Sequence, residues 1–208
     1  MTPTDTEQLR VLIVEDEQNL ADLFEIWLAD EYDVQTTYSG EAALEGVADH
    51  GADVVLLDRR MPGLSGDEVA DRLDETGCDA QVIMITAVSP SPEMAALPVD
   101  DYVTKPITRG QLRSMVETAA LVRTYNDDIT ELLALTARRQ ALKEEVPADE
   151  LEASEAFDRL VSDIGDARAS IDSTIEELRS RSETTVFARI ENELTGEQIE
   201  NENTDLRP

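Results

Sequence analysis

Five residues of this chain combine reactive side chains with a shared place in the pattern: Glu15, Asp16, Asp58, Thr86 and Lys105. Each follows, directly or within one residue, a short apolar run, at 11–14, 54–57, 82–85 or 102–103, and so stands at the carboxyl end of what reads as a β-strand. In a parallel sheet those ends border the crevice where α/β proteins bind ligands. One edge would then receive three carboxylates, a hydroxyl and one of only two lysines. Carboxylates so close repel one another, and a bound cation is the natural means of keeping them ionised. A few oxygen ligands, with room left for waters and a phosphate, favour Mg²⁺ over a dedicated Ca²⁺ cage. Singly, Asp or Thr at a strand end is more often a turn former or helix cap. The combination carries the reading.

The elements that must position these residues alternate. A fifth β-rich run lies at 32–37, and segments of helical period fill the gaps at 19–29, 41–48 and 67–73. In the first of these, Leu20, Leu23, Phe24, Trp27 and Leu28 share a face. Strands alternating with helices predict an α/β fold, a doubly wound five-stranded parallel sheet with helices on both faces. After Pro106 the period becomes purely helical. Thr108 is the expected N-cap of a long helix with apolar positions from Leu112 to Leu142, ending at Val146-Pro147. A second helix is expected from Asp149, with Glu152 completing a capping arrangement. Its Phe157, Leu160, Ile164, Ala167, Ile171, Thr174 and Leu178 alternate spacings of 3 and 4, an a/d seam with one polar position. An all-α helical hairpin, or half of a dimeric bundle, follows. The expected domains are 9–122, 123–182 and a polar tail at 183–208, where disorder is expected.

Composition narrows the setting. Among 208 residues, 47 acidic face 17 basic, a formal net charge of −30. That balance disfavours broad attraction to nucleic acid or to an anionic membrane. An acidic, Lys-poor chain suits concentrated salt, where self-repulsion is screened, so a halophilic source is expected. Cys78 is the only cysteine, which rules out an internal disulfide and favours a reducing cytoplasm. No apolar stretch approaches the roughly 20 residues of a membrane span. The first ten residues, with Asp5 and Glu7 and no apolar core, do not read as a signal peptide, and the mature chain is expected to start near Met1.

Val11-Leu12-Ile13-Val14-Glu15-Asp16-Glu17, Leu56 through Gly66 (LLDRRMPGLSG), Ile85-Thr86-Ala87 and Asp101-Tyr102-Val103-Thr104-Lys105-Pro106 together resemble the receiver domain of two-component response regulators. The resemblance covers roughly residues 9 to 120. It implies a flavodoxin-like fold in which Asp58 accepts a phosphoryl group from a histidine kinase. It further implies that Mg²⁺ is held by Asp16, Asp58 and the backbone carbonyl of Arg60, with Glu15 acting through a water. Thr86 would hydrogen-bond one phosphoryl oxygen and Lys105 neutralise another, as phosphoryl transfer requires. Thr86 and Tyr102 would form the switch, the aromatic ring following the hydroxyl inward. Taken by itself, Tyr102 reads as a half-buried packing aromatic with its hydroxyl in water. Such a protein is a phosphoacceptor that assists its own Mg²⁺-dependent chemistry and is not otherwise an enzyme.

Two departures from the receiver pattern stand out. Thr86 and Lys105 are only 19 positions apart, and the interval holds Pro90, Pro92 and Pro98. The helix expected there is short or distorted, which puts the usual switch face in doubt. Second, Arg60 and Val88 lie two positions beyond Asp58 and Thr86, where they are expected to tune the lifetime of the aspartyl phosphate. His50 reads as a surface position ending a helix, Trp27 as packing, and Arg138-Arg139 as a solvated face.

The segment from Tyr125 resembles the HalX domain of haloarchaeal proteins, through Tyr125 to Thr136, Pro147 to Leu151 and Ala156-Phe157 to Leu160. The resemblance supplies no mechanism. One expectation is a partner-binding or dimerising module governed by Asp58. The alternative is a transcriptional output touching DNA, against which residues 127–208 hold 22 acidic and 9 basic residues and no helix-turn-helix pattern. A hydrolase is disfavoured because Asp58-Arg59-Arg60 lacks a second Asp two residues on. Flavin binding is disfavoured because the first strand ends in Glu15-Asp16 and not in a phosphate loop.

Overall fold

A computed structural model describes residues 8–87, 94 and 96–201, with side chains as far as Arg181. The elements in chain order are β1 (Arg10–Val14), α1 (Gln18–Leu28), β2 (Asp33–Thr37), α2 (Gly40–His50), β3 (Val54–Asp58), α3 (Gly66–Glu75), β4 (Gln81–Thr86), β5 (Asp101–Thr104), α4 (Arg109–Glu145), α5 (Ala148–Glu152) and α6 (Glu155–Asn201). Two compact units divide between Arg123 and Thr124.

In the first unit all five strands are parallel, in the order β2-β1-β3-β4-β5. This is the flavodoxin-like doubly wound order. The central strands β3 and β4 are buried along their whole length, because both faces of the sheet are covered. Alternate residues feed two cores. Leu12, Val14, Val55, Leu57 and Met84 pack with Ala43, Val69 and Leu73 of α2 and α3. Val11, Ile13, Val54, Leu56, Ile83 and Ile85 pack with Phe24 and Leu28 of α1 and Leu112 and Val116 of α4. Leu12 and Leu112 are wholly buried, each contributing about 1.5–3 kcal/mol of apolar transfer.

The register aligns the strand ends. Val14 is level with Leu57, Asp58 with Ile85, and Thr86 with Thr104. Glu15, Asp58, Thr86 and Lys105 therefore leave the sheet at one edge. Tight starts fix the helices behind them. Ser65 and Glu68 form a capping box at α3, and Thr108 exchanges hydrogen bonds with Gln111 at the start of α4.

In the second unit, Leu135, Leu160, Ile164 and Ala167 are buried together, with Leu132, Leu142 and Phe157 against them. The Ser170 hydroxyl donates to the Asp128 carboxylate at 2.6 Å. Contacts that rise along α4 while falling along α6 define an antiparallel hairpin. All seven seam residues are buried or half-buried, and Thr174 satisfies its hydroxyl on the Ser170 carbonyl.

The structure corrects two expectations. Leu23 is 39% exposed; Ala21, Phe24 and Leu28 form the buried stripe of α1. The second long helix begins at Glu155 and not at Asp149. Asp149 sits inside the five-residue α5, and the Ser154 hydroxyl caps α6 by accepting from the Phe157 N–H. α6 runs on to Asn201 through the start of the expected tail. Phe187, Ile190 and Leu194 keep a helical spacing of three and four through that polar stretch. Residues 202–208 of the expected tail lie outside the described residues. Tyr102 is 45% exposed. The proline-rich segment after Thr86 is described only at 87, 94 and 96–100, and no α-helix stands among those residues. Val88 lies outside the described residues.

Candidate functional site

The site is built from four strand ends. Glu15 turns away from β1 with its N–H donating to the Thr37 carbonyl at 3.1 Å, which carries its side chain inward to 2% exposure. Asp16, next in the chain, is exposed. Asp58 ends β3 at 5% exposure, and Thr86 ends β4 fully buried. Lys105 is placed by its own N–H, which donates to the Thr86 carbonyl at 2.7 Å. The Lys105–Pro106 peptide is cis.

These placements converge. Lys105 Nζ donates to Glu15 Oε2 and to Asp58 Oδ1, both at 2.7 Å. The Arg60 N–H donates to Asp58 Oδ2 at 3.0 Å, so both Asp58 oxygens are held. Carboxylate oxygens of Glu15, Asp16 and Asp58 lie within 4.8 Å of one another. Burial, with the charge of Asp58 added, raises the Glu15 carboxyl above its ordinary value of 4.5 despite the hydrogen bond from Lys105. Burial pulls the Lys105 ammonium the other way, but its hydrogen bonds to Asp58 and Glu15 outweigh that and raise it. One ammonium thus meets two of the three carboxylates and leaves the cluster short of positive charge. An all-oxygen set, part buried and part open through Asp16, fits a hard divalent cation.

The sequence model of the response regulator receiver domain matches residues 11–117, half of the chain. The chain belongs to the response regulator receiver family. The HalX domain model matches residues 121–187 of the same response regulator. A Haloferax volcanii protein provisionally named a transcriptional regulator is 37% identical over 166 residues. That match takes in 79% of this chain and 28% of the relative. Response regulator ArlR of Staphylococcus aureus is 33% identical over 147 residues, 69% of this chain and 66% of ArlR. The chain therefore spans less than two thirds of the length of either relative. Among solved structures, a signal receiver domain from Vibrio parahaemolyticus aligns with a TM-score of 0.55 at 26% identity, covering 58% of this chain and 95% of that one. The BeF3-activated DrrB receiver domain aligns with a TM-score of 0.50 at 28% identity, covering 54% and 97%.

All five residues singled out from the sequence reach one edge of this response regulator's sheet. Of the rest, the Arg60 side chain is exposed while its backbone holds Asp58. His50 ends α2, its ring 3.3 Å from the Asp33 carbonyl, and Trp27 packs against Phe24 with ring centroids 5.7 Å apart. Sequence reasoning overlooked the turn that follows Asp58. A Cβ on Gly66 would lie 2.3 Å from the Asp58 carbonyl oxygen and 2.8 Å from Arg59 Cα, so only glycine lets α3 start against the site. Ser65 followed by Glu68 was a readable signal for that helix start; nothing local announced the contact.

Proposed function

We propose that Asp58 is the phosphoacceptor of this response regulator, and that a sensor histidine kinase supplies the phosphoryl group. The observation that carries this reading is the Asp58 carboxylate held at both oxygens, by Lys105 Nζ and the Arg60 N–H, beside two further carboxylates. A carboxylate so restrained is oriented before the donor arrives, which removes part of the entropic barrier. The free lone pair of an Asp58 oxygen attacks phosphorus, and a P–O bond forms as the donor's P–N bond breaks. The bonding pair leaves on the imidazole nitrogen, which takes a proton. Lys105, already in contact with Asp58, meets the negative charge of the transferring group, and the Thr86 hydroxyl donates to another of its oxygens.

Asp16, Asp58 and the Arg60 carbonyl are the proposed Mg²⁺ ligands, with Glu15 acting through a water. A cation bound there supplies the positive charge the cluster lacks and neutralises phosphoryl oxygens. The added group brings about −1.5 to −2 charges, and Thr86 and the exposed Tyr102 are the proposed movers that answer it. Arg60 and Val88 are proposed to set how long the acyl phosphate lasts. The protein then acts as a phosphoacceptor and relay, not as a turnover enzyme. Its HalX domain is proposed to engage a protein partner, a second copy or a downstream target, once Asp58 is modified. A cytoplasmic setting fits the lone cysteine and the acidic surface. No helix among the described residues is long and apolar enough to cross a membrane. Contact with DNA is a second reading, supported by the name of the Haloferax relative and opposed by the acidic helical half.

Incubation with Mg²⁺ and acetyl phosphate, reduction with borohydride and peptide mapping test the assignment. The label is expected on Asp58, and a label elsewhere or none at all would overturn it.

A further inference from the structure

The turn between β3 and α3 is closed by more than its glycine. The Arg59 N–H donates to the Ile85 carbonyl at 2.9 Å, and the Arg59 carbonyl accepts from the Gly66 N–H at 3.0 Å. Its guanidinium then forks onto the carboxylate of Asp67, with Nε 2.9 Å from Oδ1 and Nη2 3.1 Å from Oδ2. The two side chains are 21% and 35% exposed, which spares them much of the solvent screening that empties surface pairs of meaning. Asp67 stands in the first turn of α3, where the helix dipole favours a carboxylate. Two-point contact is a geometry that lysine cannot supply. Residues 60–65 are thus a loop tied at both ends, and the first residue in it is Arg60, whose backbone holds Asp58.

We infer that the Arg59–Asp67 fork is a positioning clamp for this turn, holding the Asp58 carboxylate and the Arg60 carbonyl in place and thereby setting the affinity for the divalent cation. The inference rests on the cation reading proposed above. Neither residue touches the reacting atoms; both act through the backbone of residues 58–60. Partners that orient metal ligands from behind typically govern affinity by one to two orders of magnitude.

Calorimetric titration of the full chain with Mg²⁺ tests the clamp, alongside urea unfolding in metal-free buffer. Asp67→Ala and Arg59→Met are each expected to weaken Mg²⁺ binding roughly tenfold, the double variant no further than either single one, and Asp67→Glu is expected to recover most of the affinity. Arg59→Met leaves α3 itself untouched, so it decides the matter if Asp67→Ala fails to fold. Wild-type affinity in Arg59→Met, or losses that multiply in the double variant, would overturn the clamp while leaving the cation site standing. A wild-type chain that binds no Mg²⁺, or binds it equally after Asp58→Asn, would overturn the cation reading and the clamp with it.

Discussion

Two buried carboxylates on one ammonium make the site electrostatically incomplete, and the consequence is measurable by pH. Burial and Asp58 raise the Glu15 carboxyl above 4.5 in the fold, so its protonated form is the one folding favours. That contribution is fully present below 4.5 and is lost as pH rises through the folded value; at neutral pH ionised Glu15 opposes folding until a cation arrives. Lys105 behaves in the opposite range: its raised value contributes stability below 10.5, lost as pH climbs through the folded value. In metal-free buffer at neutral pH, Glu15→Gln should therefore leave the unfolding free energy from urea titration unchanged or raise it by up to about 1 kcal/mol. Added Mg²⁺ should stabilise the wild type more than the variant. A metal-free loss well beyond about 1 kcal/mol in Glu15→Gln would contradict this ordering. The reactive residues were legible because residue type and strand-end position coincide in the sequence. Gly66, Arg59 and Asp67 were not, because their contacts exist only once the turn after β3 has folded back on itself.

The strands are nearly level at their carboxyl ends, and the first residue of α3 lies hard against the end of β3. Gly66→Ala should cost about 1–3 kcal/mol, since the colliding atoms are backbone and cannot swing away, and Mg²⁺ affinity should fall with it. Urea unfolding and calorimetry read both, and an unperturbed variant would refute the close approach. In the hairpin, Ile164 is 2% exposed. Ile164→Asp buries an unpaired charge and should remove the helical signal of the hairpin by circular dichroism while Asp58 still takes a phosphoryl group. The α/β alternation could be read from short continuous apolar runs, as strands covered on both faces require, alternating with segments of 3.6-residue period. The start of α6 could not, because Asp149-x-x-Glu152 and Ser154 offer competing caps and only packing of Leu151 and Phe157 chooses between them.

For the whole molecule the net charge of −30 outweighs any single pair. Self-repulsion of that size opposes compaction at low salt. Raising KCl from about 0.1 M to about 1 M shortens the Debye length from roughly 10 Å to roughly 3 Å, and the thermal midpoint should rise steadily across that range. A flat or falling midpoint would remove salt screening from the account. The doubly wound sheet and the helical hairpin were both foreseeable from the switch in pattern after Pro106; the extension of α6 to Asn201 was not, because its polar composition masked a helical spacing. What joins the scales is one carboxylate. The most direct measurement is the intact mass of the full chain after exposure to acetyl phosphate, with Mg²⁺ and with chelator, for the wild type and for Asp58→Asn. The account predicts a single phosphoryl adduct, only with Mg²⁺ and only with Asp58 present. An adduct that survives the substitution, or none on the wild type, would contradict it.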